Sequence, residues 1–490
     1  MDTTLEKKTN IVSAVTRVYL WLMLLGLPMV IHNGYFDITE AKTVWFAGWT
    51  ILFLLFRAVM ALQYGTNPLR LRAGEISALI LAAIVLFSSA MSGAFRASFL
   101  GIHGRWQGAG MFWLYIALFL FLPGDDIRER DVFPPLGAGL AVTGLLAVCH
   151  HLGWDALGLS AGLTDFDRGR YISTLGNINF AGAYLSLVIP VFLWRLLNAE
   201  KPLRRWLLSG LCLLGLWAAM AVRSECTILG LGATLALLPL LSKDNPRTLA
   251  RWGLLWPGLA AGMQVYRLLA LSRGAYLSAL TRLLLHPGVS ASMAVFGVAV
   301  WFLLRNKGER YYCRAVRIYC FLLLALLLLG AAALLSLNTV WKDIPLGSLE
   351  TWLRFSDAWG TDRGKVWAYC MGLYREFPFP EKLLGGGCGV LARLDVTRRI
   401  FPDAILDAAH SEYIQILLNW GALGLLFYLA WLVFSARDIL RRGDPLPLAL
   451  LAGLAGYAVQ AAVNIAQTPG TALLFLLLAI ARRKSAAGGH

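Results

Sequence analysis

The sequence predicts an all-α protein that crosses a membrane many times, and three observations support this. Of its 490 residues, 58% are hydrophobic and only 15% are charged, and the mean hydropathy is +0.64. This composition is far more apolar than that of a soluble domain. The apolar residues fall into runs of roughly 20, the length that a membrane-spanning helix needs. Such runs are too long and too continuous for the strands of a membrane barrel.

Candidate spans follow one another along the chain, each an apolar run bounded by polar or charged residues. They lie near residues 18–32, 44–61, 74–92, 107–123, 134–152, 177–196, 206–222, 226–241, 252–270, 287–304, 318–337, 411–435, 446–463 and 470–481. The first run has no small-residue cleavage site and more spans follow it, so we interpret it as a retained first helix. Because the shortest runs are marginal, we predict a bundle of about 12–14 spans.

Lysine and arginine are distributed unevenly over the connections between these spans. One side carries Lys7 and Lys8, Arg70 and Arg72, Arg204 and Arg205, Lys243, Arg247 and Arg251, the basic block 305–317, Arg441 and Arg442, and Arg482, Arg483 and Lys484. The positive-inside rule makes this side the cytoplasm, with both termini on it. The net charge of +16 is then a topology signal and a preference for anionic membrane lipid. No basic stripe is interleaved with aromatic residues, so we expect no nucleic-acid partner.

The opposite connections divide the chain into four parts. We predict N-terminal transmembrane helices over 1–92, a transmembrane core with short extracytoplasmic arginine-bearing loops over 93–337, one large extracytoplasmic loop over 338–410, and C-terminal transmembrane helices over 411–490. The large loop therefore precedes the last three spans. It contains Cys370 and Cys388, and their spacing leaves open whether they form a disulfide.

Arginines accumulate on the predicted external face, where the topology rule expects few. They are Arg96, Arg105, Arg168, Arg170, Arg223, Arg354 and Arg363. A guanidinium stays charged when partly buried and donates two parallel hydrogen bonds, a geometry that suits phosphate. Each arginine could instead pair with a local acid or extend into lipid headgroups. For the set as a whole we favour an anionic ligand.

Two acids in the same loops have the spacing of a metal-binding motif. Asp165 and Asp167 could together hold a divalent cation against a diphosphate. Beside Arg168 and Arg170, a solvated ion-pair network is the more common outcome. We therefore expect no metal site and no cofactor.

His410 stands where the large loop meets an apolar run. An imidazole titrates near neutral pH and can serve as a general base. Asp407 and Glu412 are close enough in sequence for a carboxylate to orient the ring, and Tyr413 follows on its face of the helix. A lone histidine at a helix entrance can instead be an interfacial packing residue. Among the other histidines, His103 in an external loop is the serious rival.

An ordered set of motifs extends over about residues 90 to 435. It comprises Ser98-Phe99-Leu100-Gly101 with Arg105 and Gly108, then Arg170-x-x-Ser173-Thr174-Leu175-Gly176-Asn177-x-Asn179, then Arg363-x-x-x-Trp367, then Leu384-Gly385-x-Gly387-x-Gly389, and last His410-x-x-Tyr413 with Gly421-x-x-Gly424-Leu425. This set, with the large external loop before the last helices, resembles the O-antigen ligase and O-antigen polymerase superfamily.

The resemblance implies a metal-independent membrane glycan transferase of surface polysaccharide biosynthesis. Such enzymes move a glycan from an undecaprenyl-diphosphate-linked donor to a hydroxyl of a glycan, lipid or protein acceptor, on the external face of the bacterial cytoplasmic membrane. It further implies that His410 activates the acceptor and that Arg363 binds the diphosphate. The remaining expected substrate-binding residues are Arg105, Arg170, Arg223, Tyr413, Gly385 and Gly387.

Three departures from the family pattern affect the phosphate ligands more than the reaction class. They are His410-Ser411 for a common His-Asn, Ser224-Glu225-Cys226 with Arg223 displaced by two for Ser-Arg-Gly, and Asn177-Ile178-Asn179 for Asn-Pro-Asn. Ligase and polymerase remain alternatives, as do a transporter or flippase of lipid-linked glycans and a noncatalytic membrane scaffold. A transporter should show charges at mid-membrane depth and an internal repeat. The sequence offers isolated candidates such as Arg57 and no repeat.

Overall fold

The computed structural model describes residues 2–65, 71–122, 127–242, 245–402 and 404–482. Ten helices in these residues are long and apolar enough to cross a membrane, and four shorter apolar helices accompany them. The β-structure described beside them is one antiparallel hairpin, β1 (Tyr171–Ile172) with β2 (Gly176–Asn177), and isolated bridges. The prediction of an all-α, multi-pass helical bundle is confirmed at this level.

The helices of the first half of the chain alternate between long apolar rods and short connecting turns. They are α1 (Asp2–Trp21), α2 (Leu27–Met29), α3 (Ile38–Tyr64), α4 (Ala73–Met91), α5 (Phe95–Leu100), α6 (Ala109–Phe121), α7 (Glu129–His151), α8 (Asp165–Arg168), α9 (Ile178–Leu197), α10 (Pro202–Val222) and α11 (Glu225–Leu241). A π-helical turn, Leu22–Gly26, joins α1 to α2.

The second half adds further rods and a group of short helices. They are α12 (Pro246–Ser272), α13 (Ala279–Leu284), α14 (Pro287–Leu304), α15 (Glu309–Asn338), α16 (Glu350–Leu353), α17 (Trp359–Glu376), α18 (Phe379–Leu384), α19 (Val390–Arg398), α20 (Glu412–Arg442), α21 (Pro445–Ala461) and α22 (Gly470–Ala481). A 3-10 turn, Gly347–Leu349, precedes α16.

Several rods begin or end well outside the predicted spans. Helix α1 begins at Asp2 and not near residue 18, α15 begins at Glu309 and not near 318, and α20 continues to Arg442 and not only to 435. The apolar run stops at the first charged residue, whereas the helix does not. Lysine and arginine in the terminal turns can lay their apolar stems along the helix and extend their charges outward.

The connections between the helices lie at two opposite ends of the bundle, and hydrogen bonds join connections that are distant in sequence. One end, called the site end below, is formed by the connections 31–37, 92–108, 152–177, 223–224, 273–286, 339–411 and 462–469. Arg105 binds Asp407 there, and the side chain of Asn464 donates to the Asn179 carbonyl. At the opposite end Arg482 pairs with Glu75.

The core and the periphery of the bundle differ sharply in burial. All residues of α22 are buried, and it packs against α6, α9 and α21. The apolar window of α15 has no buried residue, and the buried residues of this helix, Tyr312 and Val316, lie near its start. Helix α22 is therefore a central element, and most of α15 lies at the outer edge of the bundle.

The predicted large loop contains several short helices that pack into a compact unit. Residues 339–411, called the cap below, form α16 to α19 and pack a small core on the start of α20. That core includes Val366, Cys370, Leu373, Phe377 and Leu391. Cys370 and Cys388 are both buried free thiols.

Helix α20 breaks at Gly421, where the backbone has φ +68° and ψ −170°. A side chain there would lie 2.3 Å from the Leu383 carbonyl, so only glycine fits. The break frees two carbonyls, and the turn after α18 takes both: Gly386 donates to Leu418 and Gly387 donates to Asn419, each at 2.9 Å. The first turns of α20 are thus tied to the cap.

Candidate functional site

Four predicted or neighbouring polar residues meet at the site end: Arg105, Arg363, Asp407 and His410. Arg105 donates two hydrogen bonds to the Asp407 carboxylate, from Nε to Oδ2 at 2.8 Å and from Nη2 to Oδ1 at 3.0 Å. Both side chains are partly buried. This parallel pairing fixes the loop that follows α5 against the end of the cap.

The backbone at His410 is held in a left-handed conformation, with φ +51°. The preceding residue is locked on both sides, because the Ala409 carbonyl accepts from Trp367 Nε1 at 3.0 Å and its N–H donates to Gln415 Oε1 at 2.9 Å. Ser411 then caps α20. A non-glycine residue in this region costs about 1–3 kcal/mol and is retained where the surroundings over-determine it, often at functional sites.

The spacing Arg363-x-x-x-Trp367 has a structural explanation. Residues four apart lie on one face of a helix, and α17 directs both side chains toward residues 409 and 410. Trp367 bonds to Ala409, and Arg363 lies within electrostatic range of His410. Arg363 Nη1 donates to the Gly360 carbonyl at 2.6 Å, while its buried Nε has no hydrogen-bond partner among the described residues.

Burial and the two guanidinium groups lower the pKa of His410 from 6.5 to about 4. Burial is the largest cause, followed by Arg363 and Arg105, and Asp407 opposes them in part. Each effect of the arginines is a repulsion between the imidazolium form and a fixed positive charge. The ring is therefore neutral at pH 7 and has a free lone pair.

The expectation that a carboxylate orients the His410 ring is wrong. Asp407 engages both oxygens with Arg105. Glu412 turns into the bundle, where it is buried and accepts hydrogen bonds from the hydroxyls of Tyr428 and Tyr457. Sequence proximity could not show that each carboxylate has a stronger donor elsewhere.

A second group of side chains adjoins the first at the start of α11. Arg223 adopts φ +57°, and its Nη2 donates to the Gly169 carbonyl at 2.9 Å. Burial lowers the pKa of its guanidinium. The next residue, Ser224, donates to Asn179 Oδ1 at 2.8 Å, and Glu225 lies within electrostatic range of Arg363. Arg223 thus lies two residues before Glu225, whose carboxyl group interacts electrostatically with Arg363.

The start of α9 forms the floor between these two groups. The Phe180 ring lies 5.9 Å from the Arg105 guanidinium and packs with Ala408 and Ile465. The side chain of Asn464 donates to the Asn179 carbonyl at 2.8 Å. Helices α9 and α20 both begin beside the arginines, and a helix N-terminus carries partial positive charge. The whole region therefore favours an anion.

The other predicted site residues have different surroundings. Arg170 is exposed, and its guanidinium lies 3.9 Å above the Phe166 ring. The Tyr413 hydroxyl donates to the Ala458 carbonyl of α21 at 2.6 Å. Gly385 and Gly387 have positive φ and pack on backbone or side chains of α20 and α4. These contacts give the two glycines a packing function beside the site.

The acids of the predicted metal motif bond locally. Asp165 pairs with Arg168 at 3.5 Å, and Asp167 accepts from the Thr164 hydroxyl at 2.7 Å. His103 is exposed, and its ring lies 5.3 Å from the Trp106 ring.

Sequence reasoning missed Phe180, Glu225 and the pairing of Arg105 with Asp407. Neither motif spacing nor charge pattern carries a signal for Phe180, which stands in a continuous apolar run. A weak signal existed for Glu225, because it replaces the arginine of the family turn and so stands beside the expected phosphate ligands.

No family model matches the chain, and no curated protein is significantly similar to it. The resemblance to the O-antigen ligase and polymerase superfamily therefore depends on the order of the motifs alone.

Proposed function

We propose that the chain is a membrane glycan transferase of the O-antigen ligase or polymerase type. It moves a glycan from an undecaprenyl-diphosphate-linked donor to an acceptor hydroxyl without a metal. One observation carries the proposal: the neutral imidazole of His410 lies beside two guanidinium groups, those of Arg363 and Arg105, at one end of a membrane bundle. A base and an anion-binding pair are the two elements that this reaction needs.

We further propose that the site end faces away from the cytoplasm of a bacterial cell. The opposite end carries most of the basic connections, including the block 305–317, and such connections are retained in the cytoplasm. Lipid-linked glycans that have been carried across the membrane would then meet the cap. Both termini would lie on the cytoplasmic side.

The transfer requires that a diphosphate leaves as the new glycosidic bond forms. The acceptor oxygen attacks the anomeric carbon of the donor sugar and gives its proton to the His410 imidazole. The bond from that carbon to the phosphate oxygen breaks, and its electron pair stays on the diphosphate. Arg363 and Arg105 stabilise this growing negative charge, and preorganised donors of this kind contribute about 3–4 kcal/mol each.

Donor binding should also strengthen the base. In the free protein the two arginines lower the pKa of His410. A bound diphosphate neutralises them and adds negative charge near the ring, which favours the imidazolium form. The pKa then rises toward the neutral range in which a general base works best. The base would thus reach full strength only with the donor in place.

The buried charged groups in the spanning helices favour a transferase over a transporter. Lys42 donates to the carbonyls of Leu27, Pro28 and Val30, at the end of α2. Glu412 is bound by two tyrosines. Charges that line a transport path face a cavity or a passing ligand, whereas these two are enclosed and hold helices together.

The test is transfer by purified protein in nanodiscs with a lipid-linked glycan donor and its acceptor. His410→Ala should lower the transfer rate about 10²–10⁴-fold, the usual contribution of a general base. Donor binding should be retained, because the arginines hold the diphosphate. His286→Ala, at an exposed histidine that caps α14 on the same end, is the control. Near wild-type transfer by His410→Ala would contradict the proposal.

A further inference from the structure

A wide-open surface cavity of about 550 Å³ lies at the site end, between α5 and the loop that follows it. Its lining includes the apolar side chains of Phe95, Ala97, Leu100 and Trp106 and the polar side chains of Arg96 and His103. The cavity therefore combines an apolar wall with two basic groups at its edge. None of the residues proposed for catalysis lines it.

The surroundings of the cavity are those of a membrane surface. Phe95 and Leu100 are about half exposed, at 49% and 48% of their surface. Large apolar side chains at this density, beside exposed basic residues, are typical of segments that lie in the headgroup boundary. Because α4 ends at Met91 and α6 begins at Ala109, α5 lies at the end of two apolar helices. The cavity therefore opens beside the ends of these two helices.

The loop between α5 and α6 connects the cavity directly to the anion site. Trp106 lines the cavity, and the preceding residue, Arg105, holds Asp407 beside His410. Trp106 has φ +53°, and its buried Nε1 has no hydrogen-bond partner in the described part of the chain. A buried indole N–H normally has an acceptor, and a phosphate oxygen at the junction would supply one.

We infer that this cavity holds the first isoprenoid units of the polyprenyl donor, with the diphosphate extending past Trp106 to Arg105 and Arg363. The inference depends on the proposed function. It explains why an apolar cavity opens beside a cationic site, since in this donor the apolar chain is joined directly to the diphosphate. The basic side chains of Arg96 and His103 complement the anionic headgroup at the edge.

The test measures binding, not transfer, with two probes: glycan-free undecaprenyl diphosphate and inorganic diphosphate. Ala97→Trp fills the cavity and should weaken binding of the lipid probe by at least about tenfold, because contacts with several methylene groups are lost. Binding of inorganic diphosphate should not change. Leu100→Trp serves as a second filling variant. Leu145→Trp, at an exposed apolar position of α7, is the matched control and should bind both probes normally.

The possible results separate this inference from the proposed function. Normal binding of the lipid probe by both filling variants overturns the inference, even if the wild type binds inorganic diphosphate. Displacement of the lipid probe by an equal mole fraction of phosphatidylglycerol also overturns it, since the cavity would then take bulk lipid. If the wild type binds neither probe, both the inference and the proposed function fail.

Discussion

At the scale of single residues, Arg363 and His410 have separate roles in the proposed reaction, and their surroundings in the structure differ. Arg363 uses one nitrogen to bind Gly360 and keeps a buried Nε without a described partner. His410 keeps a neutral ring beside the positive charges of Arg363 and Arg105. The arginines thus provide fixed positive charge, and this charge opposes protonation of His410, so that its ring keeps a lone pair.

Replacing Arg363 by lysine should separate charge from geometry. Arg363→Lys keeps the positive charge but loses the planar fork, so donor binding should weaken about 10–100-fold. Isothermal titration with inorganic diphosphate and with the lipid-linked donor measures this. Arg375→Lys, at an exposed position of the same helix, should behave as wild type. Full donor affinity in Arg363→Lys would show that the residue contributes only charge.

The pH at which activity is lost on acidification should depend on whether the donor is bound. Protonated imidazole cannot accept a proton, so activity is lost as the pH falls through the pKa of His410. In the free protein that pKa is about 4, so kcat/KM for the donor should fall only near pH 4. With donor bound, the offset arginine charges raise the pKa, and kcat should fall at higher pH. If kcat and kcat/KM fell at the same pH, donor binding would not raise the pKa of His410, and this prediction would be contradicted.

At the scale of elements, the break in α20 determines where the cap is attached. Gly421 ends the first segment of this helix, and Gly386 and Gly387 satisfy the carbonyls that the break exposes. The apolar runs predicted the long helices, because a helix that crosses a bilayer needs an apolar surface. They could not predict the break, since Gly421 stands within an apolar run, where glycine is also tolerated in an unbroken spanning helix.

A side chain at the break should destabilise the protein. Gly421→Ala places a methyl group against the backbone of Leu383 and Leu384 and forces a conformation that alanine disfavours. The cost should be about 1–3 kcal/mol, visible as a lower midpoint of thermal unfolding in detergent. Gly372→Ala in α17 is the control, because nothing lies within 4 Å of its added carbon. Equal midpoints for both variants would show that the break tolerates a side chain.

At the scale of the whole molecule, contacts across the sequence build the site. Arg105 and Asp407 are 302 positions apart, and Gln107 donates to the hydroxyl of Thr468 at 3.1 Å. The predicted topology correctly placed Arg105, Arg363 and His410 at one end of the bundle. Successive spans alternate in direction, so every second connection lies at the same end. Which side chains touch depends on helix packing, and neither spacing nor charge encodes that.

The orientation of the bundle can be tested at the two ends of α15. Lys307 and Lys342 flank this helix, and both are exposed. In a background with Cys313 and Cys320 replaced by serine, Lys342→Cys should react with a membrane-impermeant maleimide on intact cells, and Lys307→Cys should react only after lysis. The reverse pattern would place the site end in the cytoplasm. Reaction of both in intact cells would mean that α15 does not cross.

The burial of α22 has a consequence for how the chain is made. With a rise of about 1.5 Å per residue, a helix of this length extends only about 18 Å, well short of a bilayer core of about 30 Å. It lodges among α6, α9 and α21 instead of lipid. Helices α6 and α9 are synthesised hundreds of residues before α22. Until α22 is made, the groove between them that it fills stays empty. A ribosome that stops before residue 468 would leave that groove open, and Gln107 without Thr468.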